Sequence, residues 1–217
     1  FLTARKWRGI VNEELGDLDN ARADFSLAIA IDPSQPDLYV RRSRALIKSK
    51  NFSGALSDLQ FAKRLDPKNS RIELYLSRIY QKLGQSDAAI DSVNNALAIK
   101  PSYADALAHR AELFLEAGYS DKAISDYETA IKSTSYRQDR FYLEIGKVYA
   151  SKKTFTKAVQ NFQKARKINK ANGAAWKAET KAYIALGNKI DAAKALKKYI
   201  LLNPEDEDIK TLKTQID

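Results

Sequence analysis

The chain has 217 residues, 44% apolar and 29% charged, the balance of an ordinary folded protein and not of a disordered one. With no cysteine and one histidine, disulfides, thiolate metal sites, cysteine nucleophiles and multi-histidine centres are excluded. The formal net charge is +10, and no apolar run approaches the roughly 18–20 residues of a membrane-spanning helix. Methionine is absent and the chain opens with Phe1-Leu2, so it reads as a fragment or processed product with any targeting signal out of view. The basicity is local: residues 139–200 hold 15 Lys/Arg against four acids, a net of +11, while the remainder has 22 basic and 23 acidic residues.

In chain order, the sequence is a tandem repeat. Ala21 is followed by Phe25 at +4, Ala28 at +7 and Pro33 at +12. The pattern returns at Ala55 (Leu59, Ala62, Pro67), Ala89 (Val93, Ala96, Pro101), Ala123 (Tyr127, Ala130), Ala158 (Phe162, Ala165) and Ala192 (Leu196, Tyr199, Pro204). These anchor alanines stand 34, 34, 34, 35 and 34 residues apart. The period divides residues 1–204 into six repeats, about 2–35, 36–69, 70–103, 104–138, 139–172 and 173–204. Each is predicted to form two helices. In the fourth, Leu107, Ala111 and Phe114 make one helical stripe, Gly118 ends that helix, and Ala123, Tyr127, Ala130 and Ile131 make the next. A glycine stands five residues before four of the anchors, at Gly16, Gly84, Gly118 and Gly187. Small anchors let two helix axes approach closely, and the proline fits a helix stop. No sustained two-residue alternation predicts a strand. Residues 205–217 leave the pattern. Ile209, Leu212 and Ile216 form one apolar stripe behind an acidic first turn, which predicts a C-terminal capping helix.

This period, with its small, aromatic, glycine and proline positions, resembles the tetratricopeptide repeat (TPR) family over residues 2–204. The resemblance implies an all-α fold: a right-handed α-solenoid of six helix–turn–helix repeats with an inner groove, closed by the capping helix. The activity it implies is binding of other proteins or peptides, without catalysis. Ser135 and Lys170 replace the proline in repeats four and five, and one extra residue within 133–140 is expected to alter the superhelix there.

Arginine thirteen residues before the anchor and aspartate three after it occur together or not at all. Repeats one, two and four carry Arg8/Asp24, Arg42/Asp58 and Arg110/Asp126; the others carry Leu76/Ser92, Ile145/Asn161 and Glu179/Ala195. Joint presence predicts structural ion pairs within each repeat, since a lone buried charge is costly. His109, Glu112 and Glu116 share a helical face, but one imidazole and two carboxylates supply too few converging ligands for a metal, so charge pairing is expected instead. No phosphate-binding glycine loop, dinucleotide fingerprint, nucleophile elbow or metal-binding His-Glu motif occurs, so no catalytic residue, metal or cofactor is assigned.

The first helix of each repeat is expected to turn inward the positions fourteen, eleven and seven before the anchor. These are Trp7, Ile10 and Glu14; Arg41, Arg44 and Lys48; Tyr75, Arg78 and Lys82; then Glu112 and Glu116. Trp7, Ile10, Arg41, Arg44, Lys48, Tyr75, Arg78 and Lys82 thus form a candidate groove for an acidic peptide with apolar anchors, unless Glu112 and Glu116 neutralise Arg78 and Lys82. The inner columns hold no asparagine, so the family's lysine–asparagine carboxylate clamp finds no support. The alternative function is a basic module that binds a polyanion (acidic protein, anionic membrane or nucleic acid) through the lysine-rich face of repeats five and six. Nucleic acid is disfavoured there, because clustered arginines with interleaved aromatics are missing. A protein or peptide partner, within a larger complex or alone, is the reading preferred.

Overall fold

The computed structural model describes residues 1–216; Asp217, the end of the expected capping helix, lies outside the described residues. Among them are thirteen helices and no strand, so the fold is all-α. The helices pair as α1 (Leu2–Leu15) with α2 (Leu18–Ile31), α3 (Pro36–Lys48) with α4 (Phe52–Leu65), and α5 (Ser70–Lys82) with α6 (Ser86–Ile99). There follow α7 (Ala104–Glu116) and α8 (Ser120–Ser133), and then α9 (Gln138–Ser151) with α10 (Phe155–Ile168). The chain closes with α11 (Gly173–Ala185), α12 (Lys189–Leu202) and α13 (Asp208–Ile216). It divides into two compact halves, Phe1–Leu113 and Phe114–Asp217.

In the first half the anchors Ala21, Ala55 and Ala89, with Ala28, Ala62 and Ala96 two helical turns on, have no exposed surface. Ala123, Ala130, Ala158, Ala165 and Ala192 are equally buried in the second. In repeats one and five bulk is matched by absence of bulk across the pair. A Cβ on Gly9 would stand 2.8 Å from Phe25 Cε1, and one on Gly146 would stand 2.4 Å from Phe162 Cε1, inside any tolerable contact. Where the second helix carries the smaller Leu59 or Val93, serine (Ser43, Ser77) holds the corresponding position.

Each first helix is closed by a left-handed residue five positions before the anchor. Gly16, Gly84, Gly118 and Gly187 take φ between 71° and 83°. Repeats two and five adopt the same turn without glycine, at Lys50 (φ 61°) and Lys153 (φ 57°), which strains an L-residue. The extra residue of repeat five is absorbed at the start of α9, which Arg137 enters at φ 61°. The Gln138 amide then donates to the carbonyls of Ile131 and Thr134, both at 2.8 Å, closing the open end of α8.

In the second half α13 lays Leu212, only 2% exposed, against Leu196 and Tyr199, with Trp176, Ile209 and Ile216 around them. Charge pins it in place. Lys177 Nζ stands 3.0 Å from Asp206 and 2.9 Å from Asp208, Lys181 reaches Asp208 at 3.1 Å, and the Tyr199 hydroxyl donates to Asp206. The hydrogen bonds from Tyr199 and Lys177 hold the Asp206 carboxyl down at about 2.

Two predictions follow from these local constraints. Lys153→Gly relieves backbone strain at an exposed site, partly offset by a freer unfolded chain. It should raise stability by about 0.5–1 kcal/mol in chemical denaturation, and a fall would show that Lys153 makes compensating contacts. Because the folded Asp206 pKa is depressed, its contribution is present above the unfolded value near 4 and is lost as pH falls toward 2. Protection of the α13 amides, taken relative to the intrinsic exchange rate at each pH, should therefore fall between about pH 4 and 2 before that of α9 or α10, and Asp206→Asn should show the same loss of protection at neutral pH.

Candidate functional site

In the first half α3, α5 and α7 enclose a cleft of about 500 Å³. Its walls are Arg44, Ile47 and Lys48 from α3, Tyr75, Arg78, Ile79, Gln81 and Lys82 from α5, and His109 and Glu112 from α7. Five of the eight residues expected in a groove (Arg44, Lys48, Tyr75, Arg78, Lys82) are brought together here. Trp7, Ile10 and Arg41 stand outside it. Ile10 packs on the small core of Ala21, Phe25 and Ala45, and Trp7 is 62% exposed on α1.

Three of the five cations expected in the groove, Arg41, Arg44 and Lys48, hold carboxylates of the protein itself. Glu13, with a side chain only 1% exposed, draws in Arg44 Nη2 at 3.0 Å and Lys48 Nζ at 3.3 Å, and Lys48 also donates to the Glu13 carbonyl. Arg41 donates to Asp37 at 2.9 Å, with Lys6 at the same carboxylate at 2.9 Å. Burial pushes the Asp37 carboxyl up, but Lys6 and Arg41 outweigh it and hold it below the usual carboxylate range. Arg78 and Lys82 are exposed, and among the described residues no carboxylate comes within ion-pair distance of either. On the opposite wall Glu112 lies 3.5 Å from His109 Nδ1. The Ser77 hydroxyl spends its proton on the Ala89 carbonyl at 2.6 Å, so it accepts from His109 Nε2 at 3.0 Å. His109 is thereby a buried tie between α7 and α5.

The ion-pair arginines lie away from this cleft. Arg8 grips Asp24 with two hydrogen bonds of 2.7 and 2.6 Å, joined by Arg5 at 3.1 Å and Asn12 at 3.3 Å. The Arg8 hydrogen bonds lead in holding the Asp24 carboxyl below its ordinary value against burial. Arg42 grips Asp58 in the same bidentate way, at 2.8 and 2.6 Å. Arg110 belongs to the first half, where it donates to Asn94 at 2.9 Å, and Asp126 is buried in the second. Three buried glutamates escaped the sequence reading, each paired with a cation of a neighbouring repeat. Besides Glu13, Glu73 meets Lys63 at 2.8 Å and Glu179 meets Arg166 at 2.7 Å. The signal for Glu13 was its position eight before the anchor, where repeats two and six carry Ile47 and Ile184, a column turned toward packing.

The lysine-rich face of the second half is partly neutralised. Lys147 pairs with Glu144, Lys152 with Asp121, Lys177 and Lys181 with the start of α13, and Lys194 with Asp191.

Paired helices at a 34-residue period, with a cleft between first helices, define a helical repeat scaffold, an architecture generally used for protein–protein interaction. Three family models, each described as Tetratricopeptide repeat, match residues 149–216, residues 2–36 with 108–174, and residues 76–103. The chain belongs to the tetratricopeptide repeat family. No curated protein matches it. It is similar in structure to PilF of Pseudomonas aeruginosa, with TM-score 0.80 and 14% identity over 99% of this chain and 97% of that one. It is also similar to a chain of the APC/C Cut9–Hcn1 hetero-tetramer, with TM-score 0.78 and 15% identity. That match covers 99% of this chain but only 42% of the other, so this chain spans less than half of its length. A third likeness is to YrrB, described as a TPR protein with an unusual peptide-binding site. There the TM-score is 0.67 and the identity 16%, over 88% of this chain and 97% of that one. At these identities the likeness is one of fold.

The two arginines of the cleft should behave differently in urea denaturation. Arg44→Ala leaves the buried Glu13 carboxylate with Lys48 alone and should cost about 1–3 kcal/mol. Arg78→Ala, which breaks no pair, should stay within about 0.5 kcal/mol of the parent. Equal losses would mean that Glu13 does not depend on Arg44.

Proposed function

We propose that the chain is a non-catalytic interaction scaffold whose cleft between α3, α5 and α7 seats an acidic segment of a protein partner. The observation that carries this reading is the pair Arg78 and Lys82, unneutralised beside half-buried Tyr75 and Ile47, while the other groove cations already hold carboxylates. An arginine and an aromatic side by side are what interface cores favour, and a cation left without a partner is free to exchange water for a ligand carboxylate. Glu112 on the facing wall repels an acid placed there, so the ligand's carboxylates belong on the α5 side and its apolar groups against Tyr75 and Ile47. YrrB, a TPR protein with an unusual peptide-binding site, is compatible with this use of the fold.

The test reverses charge at Arg78 and Lys82 and leaves Arg44 alone, because a glutamate there would crowd buried Glu13 and unsettle the fold. R78E/K82E should weaken binding of the protein captured by the parent chain at least tenfold, with an unchanged helical circular dichroism spectrum. Undiminished binding by a folded double variant would overturn the groove reading.

A further inference from the structure

A larger depression, about 630 Å³, lies in the second half among the ends of α10 and α12 and the start of α11. Its floor is Trp176, whose indole N–H donates to the Lys170 carbonyl at 3.1 Å and whose ring lies under the Arg166 guanidinium at 4.3 Å. Arg166 is held in turn by buried Glu179, so one ring face is fixed and the geometry is preorganised. Leu201, 69% exposed, and Leu202, 41% exposed, form the apolar wall. Lys167, Lys170 and Lys198 complete the rim; none has an ion-pair partner among the described residues, and no acidic side chain lines the cleft.

The repeat pattern separates what is structural here from what is not. Trp176 occupies the column of Tyr39 and Tyr142, and Leu202 that of Ile31, Leu65, Ile99 and Ile168, all partly exposed, so neither is peculiar to this place. Leu201 is different. Nine residues past the anchor the other repeats carry Ala30, Arg64, Ala98, Lys132 and Lys167, and only here does a large apolar residue face water. Lys170 is different too, a cation at the position held by Pro33, Pro67, Pro101 and Pro204. Two independent departures from the repeat meet in one cleft. One adds an apolar wall and the other a cation to the rim, and neither has a counterpart within the protein.

We propose that this cleft is a second docking site, separate from the groove of the first half, for a short acidic segment of a partner protein carrying one bulky apolar side chain. The apolar side chain lies on the open edge of Trp176 against Leu201, and the flanking carboxylates reach Lys167, Lys170 and Lys198. Charge complementarity selects the partner: a rim of three unpaired lysines repels basic segments, while the exposed leucine favours an apolar anchor over a bare polyanion.

The experiment uses tryptophan emission from the full chain in a Trp7→Phe background, so that Trp176 alone reports. The probes are an acetylated Glu-Asp-Glu-Phe-Glu-Asp peptide, the same peptide with serine for phenylalanine, a 20-residue thymidine oligonucleotide and phosphatidylserine vesicles. The phenylalanine peptide should quench Trp176 saturably and bind at least tenfold more tightly than the serine peptide. Leu201→Lys, a residue type repeats four and five already carry at this position, should weaken it at least tenfold without loss of helicity. Lys170→Glu should do the same, and R78E/K82E should leave it unchanged. Equal binding of the two peptides, or indifference to Leu201→Lys, would overturn the proposal. So would tighter binding of the oligonucleotide or vesicles, which would mark the face as a polyanion surface.

Discussion

Everything in this protein hangs on how closely two short helices can approach. A helix pair joined by a tight turn buries its shared face only where one helix offers methyl-sized side chains for the other to fill. The six anchor alanines, and the alanines two helical turns later in repeats one to five, are accordingly without exposed surface. The constraint extends to a third column, twelve residues before the anchor. Phe25 and Phe162 occupy the space that a side chain on Gly9 or Gly146 would need, and smaller second-helix residues accompany Ser43 and Ser77. In repeats one, two, three and five the volumes are traded within the repeat, so helix spacing is kept while the individual residues vary.

That trade explains why the architecture was legible in one sequence. Positions that set helix spacing recur at the period, and recurrence is visible without a structure. The Arg8/Asp24 and Arg42/Asp58 pairs were legible for the same reason, because both partners lie within one repeat and appear together. The pairs between repeats were not. Glu13, Glu73 and Glu179 each occur once in their columns, and their cations come from another repeat, so no pattern announced them. Backbone strain was half legible: four glycines marked the left-handed turn, while Lys50 and Lys153 adopt the same conformation with no glycine to announce it.

The candidate groove shows what such a missed pair does to a functional reading. Arg44 and Arg78 are equivalent by sequence, eleven residues before their anchors. Arg44 faces Glu13 on the preceding first helix, whereas the residue in that place for Arg78 is Ile47, which has no charge to offer. A buried carboxylate left alone costs several kcal/mol, so the first arginine is committed to the fold. The second has no carboxylate partner among the described residues. One substitution on a neighbouring helix therefore separates a structural cation from one available to a partner.

The same separation organises the second half. Glu179 stands in the arginine column with no aspartate opposite and takes Arg166 from the preceding repeat, which fixes the ring of Trp176. The cations left over, Lys167, Lys170 and Lys198, are exposed, and exposed charges separated by more than about 8–10 Å of physiological saline act weakly on one another. Alone they would speed association more than they would hold a ligand. What converts such a rim into a site is an apolar surface beside it that water covers poorly. Each cleft has one: Tyr75 with Ile47 beside Arg78 and Lys82, and Trp176 with Leu201 beside the three lysines. Lysines elsewhere on repeats five and six that are paired with acids, such as Lys147 and Lys194, are compensated by their neighbours. By this reasoning the net charge of the C-terminal repeats matters less for recognition than the few places where an uncompensated cation and an uncovered apolar side chain coincide.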